Sequence, residues 1–181
     1  ALIKTITGNI APKSVRASGF GLVSAHNMMY RHSVTFYDTT KMELVATVPD
    51  RITLSDYGFT RFPDPVKGAP VEGTYSPDGR YLYVSNYAMY GKGFTKEGTD
   101  VCSPADGYDK SFIYRIDTKT FAIDGVYSAG VVPKVVEASP DGRLLLVSNW
   151  CSYDLYIISL ESGNTLKRIS IGAYPREIGR A

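Results

Sequence analysis

Apolar positions along this chain alternate with polar ones or run in short blocks cut by glycine and proline. Leu82-Tyr83-Val84-Ser85-Asn86 and Leu145-Leu146-Val147-Ser148-Asn149 are two such blocks. A period of two belongs to a strand with one buried face, and short apolar runs bounded by turn formers belong to fully buried strands. The blocks come in sets of four. The first set predicts strands at 14–17, up to Asn27, at 34–38 and at 44–48. The second predicts 72–75, up to Asn86, 112–117 and 122–127. The third predicts 135–138, up to Asn149, 155–159 and 165–171.

The sets are copies of one unit. Ser76-Pro77-Asp78-Gly79-Arg80 returns as Ser139-Pro140-Asp141-Gly142-Arg143. Each joins a first strand to a second: Pro presets φ at the first corner, Asp bonds the local backbone, and Gly takes the positive-φ position. Ser18-Gly19-Phe20-Gly21 fills this place in the first unit. A proline precedes each first strand, at Pro12, Pro70 and Pro133, and Pro175 stands at the same point of a further unit. Repetition of a four-stranded antiparallel unit predicts an all-β fold of propeller blades. About three blades are expected, over 11–50, 69–130 and 132–172, within one partial propeller domain spanning 1–181. One stray strand is expected at each end. Residues 2–6 match the fourth strand of a preceding blade, and 174–180 match the first strand of a following one. Propellers close with about 4–8 blades. The ring is therefore expected to be completed by further blades of a longer protein or by a second copy of the chain.

The repeat resembles the YVTN-type β-propeller family, whose pattern runs from a proline through Ser-Pro-Asp-Gly to an apolar strand ending Tyr-Val-small-Asn. Tyr83-Val84-Ser85-Asn86 nearly reproduces the name-giving residues, and Leu146-Val147-Ser148-Asn149 is one step removed. The first unit is degenerate, with Ser24-Ala25-His26-Asn27 in that place. The resemblance implies an exported protein at the cell surface, outside the cell or in the periplasm. It implies a binding or structural propeller, with periplasmic redox subunits and lactone hydrolases as more distant relatives. Fold alone does not choose among these.

Charge narrows the partners. Twenty basic residues against eighteen acidic ones leave a net charge of +2. That gives no electrostatic reason to expect nucleic acid. No apolar run approaches the ~20 residues that span a bilayer as a helix. The chain opens without Met or a signal peptide, which fits a processed or excised form. No cofactor is expected, and no catalytic or metal-ligating set stands out.

Two long insertions, 51–68 and 87–111, carry the functional expectation. Strand directions alternate within a blade, so loops between second and third strands share a face with the connections between blades. Both insertions then lie on one face, and long loops in a compact domain are often functional. Cys102 in the second insertion and Cys151 after Asn149-Trp150 fall on that face in adjacent blades, a placement that allows a disulfide. Lys13, Lys134 and Arg176 each follow a repeat proline, where the innermost strand meets the channel mouth, and Val71 interrupts this ring. A partial ring of cations can receive an anionic group or simply be solvated. His26, beside the first such loop, and the aromatic residues Tyr87, Tyr90, Trp150 and Tyr153 complete the ligand-binding candidates. Inter-blade packing is the competing reading of the aromatics. Asp100, Asp106 and Asp109 lack calcium-loop spacing and read as Asx turns in a solvated loop. The expected partner is a protein, glycan or small ligand on the insertion face. The competing class is a propeller subunit of a periplasmic oxidoreductase or hydrolase, with catalytic groups partly outside the chain.

Overall fold

The structure, a computed structural model, describes residues 2–94 and 101–177. Three antiparallel sheets follow one another along the chain. Blade one contains β1 (Ser14–Ala17), β2 (Leu22–Asn27), β3 (Ser33–Asp38) and β4 (Glu43–Pro49), neighbours in that order. Blade two contains β5 (Arg51–Thr53), β6 (Pro65–Tyr75), β7 (Tyr81–Ala88), β8 (Phe112–Asp117) and β9 (Ile123–Ser128). Blade three contains β10 (Pro133–Ala138), β11 (Leu144–Asn149), β12 (Asp154–Ser159) and β13 (Thr165–Ser170). Every strand pair is antiparallel.

The repeated turn closes as its residues dictate. Ser76 Oγ donates to Asp78 Oδ1 at 2.6 Å, and Asp78 Oδ1 accepts the Arg80 N–H at 3.1 Å. Gly79 then turns the chain at φ 70°, and Gly142 does the same at 69° in blade three. In blade one Ser18 Oγ accepts the N–H groups of Phe20 and Leu22 instead, at 2.9 and 3.1 Å. The degenerate sequence reaches the same hairpin by an ST turn.

The blades pack face to face, and the apolar core lies in the seams. Phe36, Val34 and Val48 of blade one meet Tyr75, Leu82, Val84 and Ile116 of blade two. Tyr83, Ile113 and Tyr127 of blade two meet Val136, Leu145, Val147 and Ile158 of blade three. Fully burying one such side chain is worth roughly 1.5–3 kcal/mol, so the seams hold the blades together. A third cluster, around Cys102, Cys151, Tyr87, Phe94 and Trp150, caps the insertion face.

Two expectations need correction. Residues 2–6 form no strand and are exposed, and residues 174–177 form no strand either; residues 178–180 of that expected strand lie outside the described residues. A strand needs a neighbour to take its backbone hydrogen bonds, and no described strand pairs with these segments. The 51–68 insertion is not merely a loop. Arg51, Ile52 and Thr53 pair with Lys67, Val66 and Pro65, so the innermost strand of blade two begins at Pro65 and carries a small hairpin above the blade. Pro65 opens the strand, a place where a missing N–H is tolerated. Among the described residues no helix is long and apolar enough to cross a membrane.

Candidate functional site

The first strands of the repeat units in blades two and three, β6 and β10, share an irregularity. Pro70 faces Asn86 and Gly73 faces Val84, so Val71 and Glu72 oppose Ser85 alone. Pro133 faces Asn149 and Val136 faces Val147, so Lys134 and Val135 oppose Ser148 alone. Two residues against one make a β-bulge, which bends the strand and re-aims side chains. The repeat's serine meets the backbone group that the bulge frees. Ser85 Oγ accepts the Glu72 N–H at 3.1 Å, and Ser148 Oγ accepts the Val135 N–H at 3.3 Å. Ser85 Oγ also donates to the carbonyl of Lys134 at 2.8 Å, tying blade two to blade three.

In blades one and three the repeat's asparagine fastens the chain just ahead of the innermost strand. Asn27 Oδ1 accepts the Ala11 N–H at 3.0 Å, and Asn149 Oδ1 accepts the Gly130 N–H at 2.9 Å. In blade three the Ser148-Asn149 pair that ends the second strand therefore fixes the main chain of its innermost neighbour at both places.

These bulges open onto a groove of about 350 Å³ lined by Lys13, Glu72, Lys134, Val135, Arg176 and Glu177. All three expected cations line it. Where Val71 interrupts the ring, the next residue contributes a carboxylate instead. Burial pushes the Glu72 carboxyl above its ordinary range, against the pull of Lys13, Ser14, Arg16 and Lys134. Arg16 of β1 also reaches Glu137 of β10 at 2.6 Å. Lys134 Nζ lies 5.0 Å from the Trp150 ring centre and 5.6 Å from that of Tyr87. The Arg176 guanidinium lies 4.7 Å from the Trp150 ring centre. Tyr87 and Trp150 thus hold the cations by cation–π contact.

The other candidates are placed differently. Tyr87 and Trp150 are buried in the cap cluster. Tyr153 is half-buried; its hydroxyl donates to the Cys102 carbonyl at 2.9 Å, and its ring packs against Tyr174. Tyr90 stacks edge-on against Phe62 beside the 51–68 hairpin, away from the groove. Cys102 and Cys151 are joined in a disulfide with their Cα atoms 5.3 Å apart. Asp106 caps the turn begun by Ser103, and Asp109 pairs with Arg61 at 2.5 Å; Asp100 lies outside the described residues. Among the described residues no group of three or more His, Cys, Asp or Glu side chains is placed to hold a metal ion.

His26 is the clearest correction. It is 0% exposed, and its ring nitrogens bond Ser14 Oγ at 2.6 Å and Ser24 Oγ at 3.2 Å. It fills the seam beside Gly73, where an added Cβ would come within 2.5 Å of His26 Nε2. Burial first, and the charge of Arg16 second, lower its pKa from 6.5 to about 3. The unfolded chain then binds a proton that the folded one refuses, so this residue makes stability fall as pH drops from about 6.5 toward 3. Imidazole ¹⁵N shifts should report a neutral His26 ring down to about pH 4, and protonation near 6.5 would contradict this placement.

Blades of this form, packed seam to seam around innermost strands, define a β-propeller-like fold. Solved structures bear this out. The chain resembles a provisionally named 6-phosphogluconolactonase of Bacteroides fragilis with a TM-score of 0.61 at 17% identity, over 94% of this chain and 42% of that one. It resembles a similarly named protein of Bacteroides uniformis with a TM-score of 0.58 at 16% identity, over 93% of this chain and 43% of that one. Identity this low establishes the fold alone. In sequence, the chain is 31% identical over 97 residues to Antigen Lp49 of Leptospira interrogans, covering 51% of this chain and 19% of the antigen. The chain thus spans under half the length of these structures and about a fifth of the antigen. No family model matches it.

Proposed function

We propose that this chain is an exported or cell-surface propeller module of the YVTN type that binds a small anionic ligand at the channel mouth. The observation that carries this reading is the groove itself. Lys13, Lys134 and Arg176, from three separate points where the chain reaches the channel, line one cavity with Glu72. Cations converging in a concave site favour an anion, and the nearby carboxylates favour a ligand that also carries hydroxyl donors. A phosphorylated or acidic sugar has both. The disulfide supports an oxidising compartment. The likeness to a leptospiral antigen supports surface exposure.

Titration calorimetry against inorganic phosphate, a sugar phosphate and an aldonic acid tests the reading. Saturable binding of at least one, weakened about tenfold or more by Lys13→Ala or Arg176→Ala, is the expected result. Binding of none, or binding indifferent to both substitutions, would reject it.

One observation favours a hydrolase as the second reading. Glu72 is half-buried, its carboxyl is raised, and Lys13 and Lys134 act on it. Such a group suits proton transfer. Hydrolysis of a sugar lactone by this chain, abolished in Glu72→Gln, would favour the enzyme over the binding module.

A further inference from the structure

The connection from β4 to β5 buries a carboxyl group that the candidate groove does not use. Asp50 is 5% exposed, and no cation reaches ion-pair distance of it among the described residues. Its backbone N–H donates to the His32 carbonyl at 2.8 Å. Its Oδ1 accepts the Gly68 N–H at 3.3 Å, and its Oδ2 is in close contact with the Asn86 side-chain amide. His32 Nδ1 bonds the Gly68 carbonyl at 2.7 Å, closing the cluster around the point where the 51–68 hairpin rejoins the blade.

Comparison of the blades exposes an anomaly here. In blades one and three the repeat asparagine's carbonyl accepts an N–H just ahead of the innermost strand. In blade two the Gly68 N–H, inside β6 two residues ahead of the repeat proline, goes to Asp50, while Asn86 Oδ1 is buried without a donor. A carboxylate this buried, with no cation in ion-pair range, is costly, and turning the amide over lets a protonated Asp50 donate to the Asn86 carbonyl.

We propose that Asp50 is a proton latch: the folded chain holds it as the neutral acid bonded to the Asn86 carbonyl, and loss of that proton to solvent weakens the seating of the β5–β6 hairpin on blade two. The surroundings agree. Lys67 of β6 acts on Asp50 from outside ion-pair range, and Tyr90 and Tyr114 face it from beyond β7 and from β8. Burial raises both phenols, so both face Asp50 as neutral groups. Burial raises the Asp50 carboxyl to about 7, against the opposing effects of the Gly68 N–H, the Asn86 amide and Lys67.

The sign follows from proton counting. Between about pH 4 and 7 the unfolded chain releases the Asp50 proton and the folded chain keeps it. Stability from this group therefore falls as pH rises through that window, by up to about tenfold in the folding equilibrium constant per pH unit. His26 has the opposite slope over much of the same range, so the effect is read as the difference between the chain and its Asp50→Asn variant.

Carboxyl ¹³C NMR of the full chain is the first test. A titration midpoint for Asp50 near 7 is expected, and one near 4 overturns the proposal. Denaturation of the chain and of Asp50→Asn between pH 4 and 8 is the second. The variant should gain relative stability as pH rises to about 7 and hold the gain above it; parallel curves overturn the proposal. If the variant fails to fold, the NMR titration decides alone.

Discussion

Replacing Cys102 and Cys151 together by serine is expected to lower stability by up to about 4 kcal/mol. The bond spans a sequence separation of 49 residues and joins the second insertion to blade three. Loop-closure entropy for a loop of that length gives about 4 kcal/mol as the ideal contribution. For a chain of this size that corresponds to roughly 10 °C in Tm. Local contacts add to the chain-entropy effect, because both cysteines are buried in the cap cluster and Tyr153 reaches the Cys102 carbonyl. Denaturant melts with and without reductant should move the wild-type chain onto the curve of the double variant. Coincident curves for the oxidised chain and the double variant would mean that the cap cluster holds the insertion without the bond.

Phe36→Ala is expected to cost about 3–5 kcal/mol. The side chain has no exposed surface, and its ring lies 5.0 Å from that of Phe121 across the seam of blades one and two. Truncation leaves a cavity between two sheets that cannot easily close, since each sheet is stiffened by its own ladder. Phe20→Ala is the matched control. Phe20 is 64% exposed in the first hairpin turn, and its loss should change stability by under about 0.5 kcal/mol. Urea melts of both variants check this, and equal losses would mean that the seam does not carry the fold.

What could be read from the chain alone divides along physical lines. Local rules sufficed for the strands and hairpins, because Ser-Pro-Asp-Gly closes through contacts within five residues. Strand parity sufficed to bring Cys102 and Cys151 together, because it depends only on counting direction reversals. Lys13, Lys134 and Arg176, each placed after a repeat proline, line one groove. Burial across a seam was a different matter. His26 stands beside a loop in sequence yet is enclosed by Gly73 of the next blade, and only the packed pair reveals it. Tyr87 and Trp150 look like surface aromatics until the disulfide cluster closes over them. The 51–68 hairpin was hidden because its strands are short and Pro65 stands where a strand interior disfavours proline. Glu72 has no signal in the repeat, because the repeat position is Val71 and only the bulge brings the next residue to the groove. Asp50 left no local signal, since its place is defined by a strand from another part of the chain.

The serine and asparagine fastenings have a consequence for how such a protein can change. They hold the bulged strands by main-chain atoms, through Ser85 and Ser148 at the bulge and Asn149 ahead of β10. The side chains of Glu72, Lys134 and Val135 are not what keeps the strand in place. Blade two sets Val-Glu where blade three sets Lys-Val, and both accept the same kink. The channel mouth is thus a position where new chemistry can be tried by single substitutions while the scaffold stays intact. Libraries aimed at a new specificity belong at those bulge positions, with the Ser-Asn pairs left untouched.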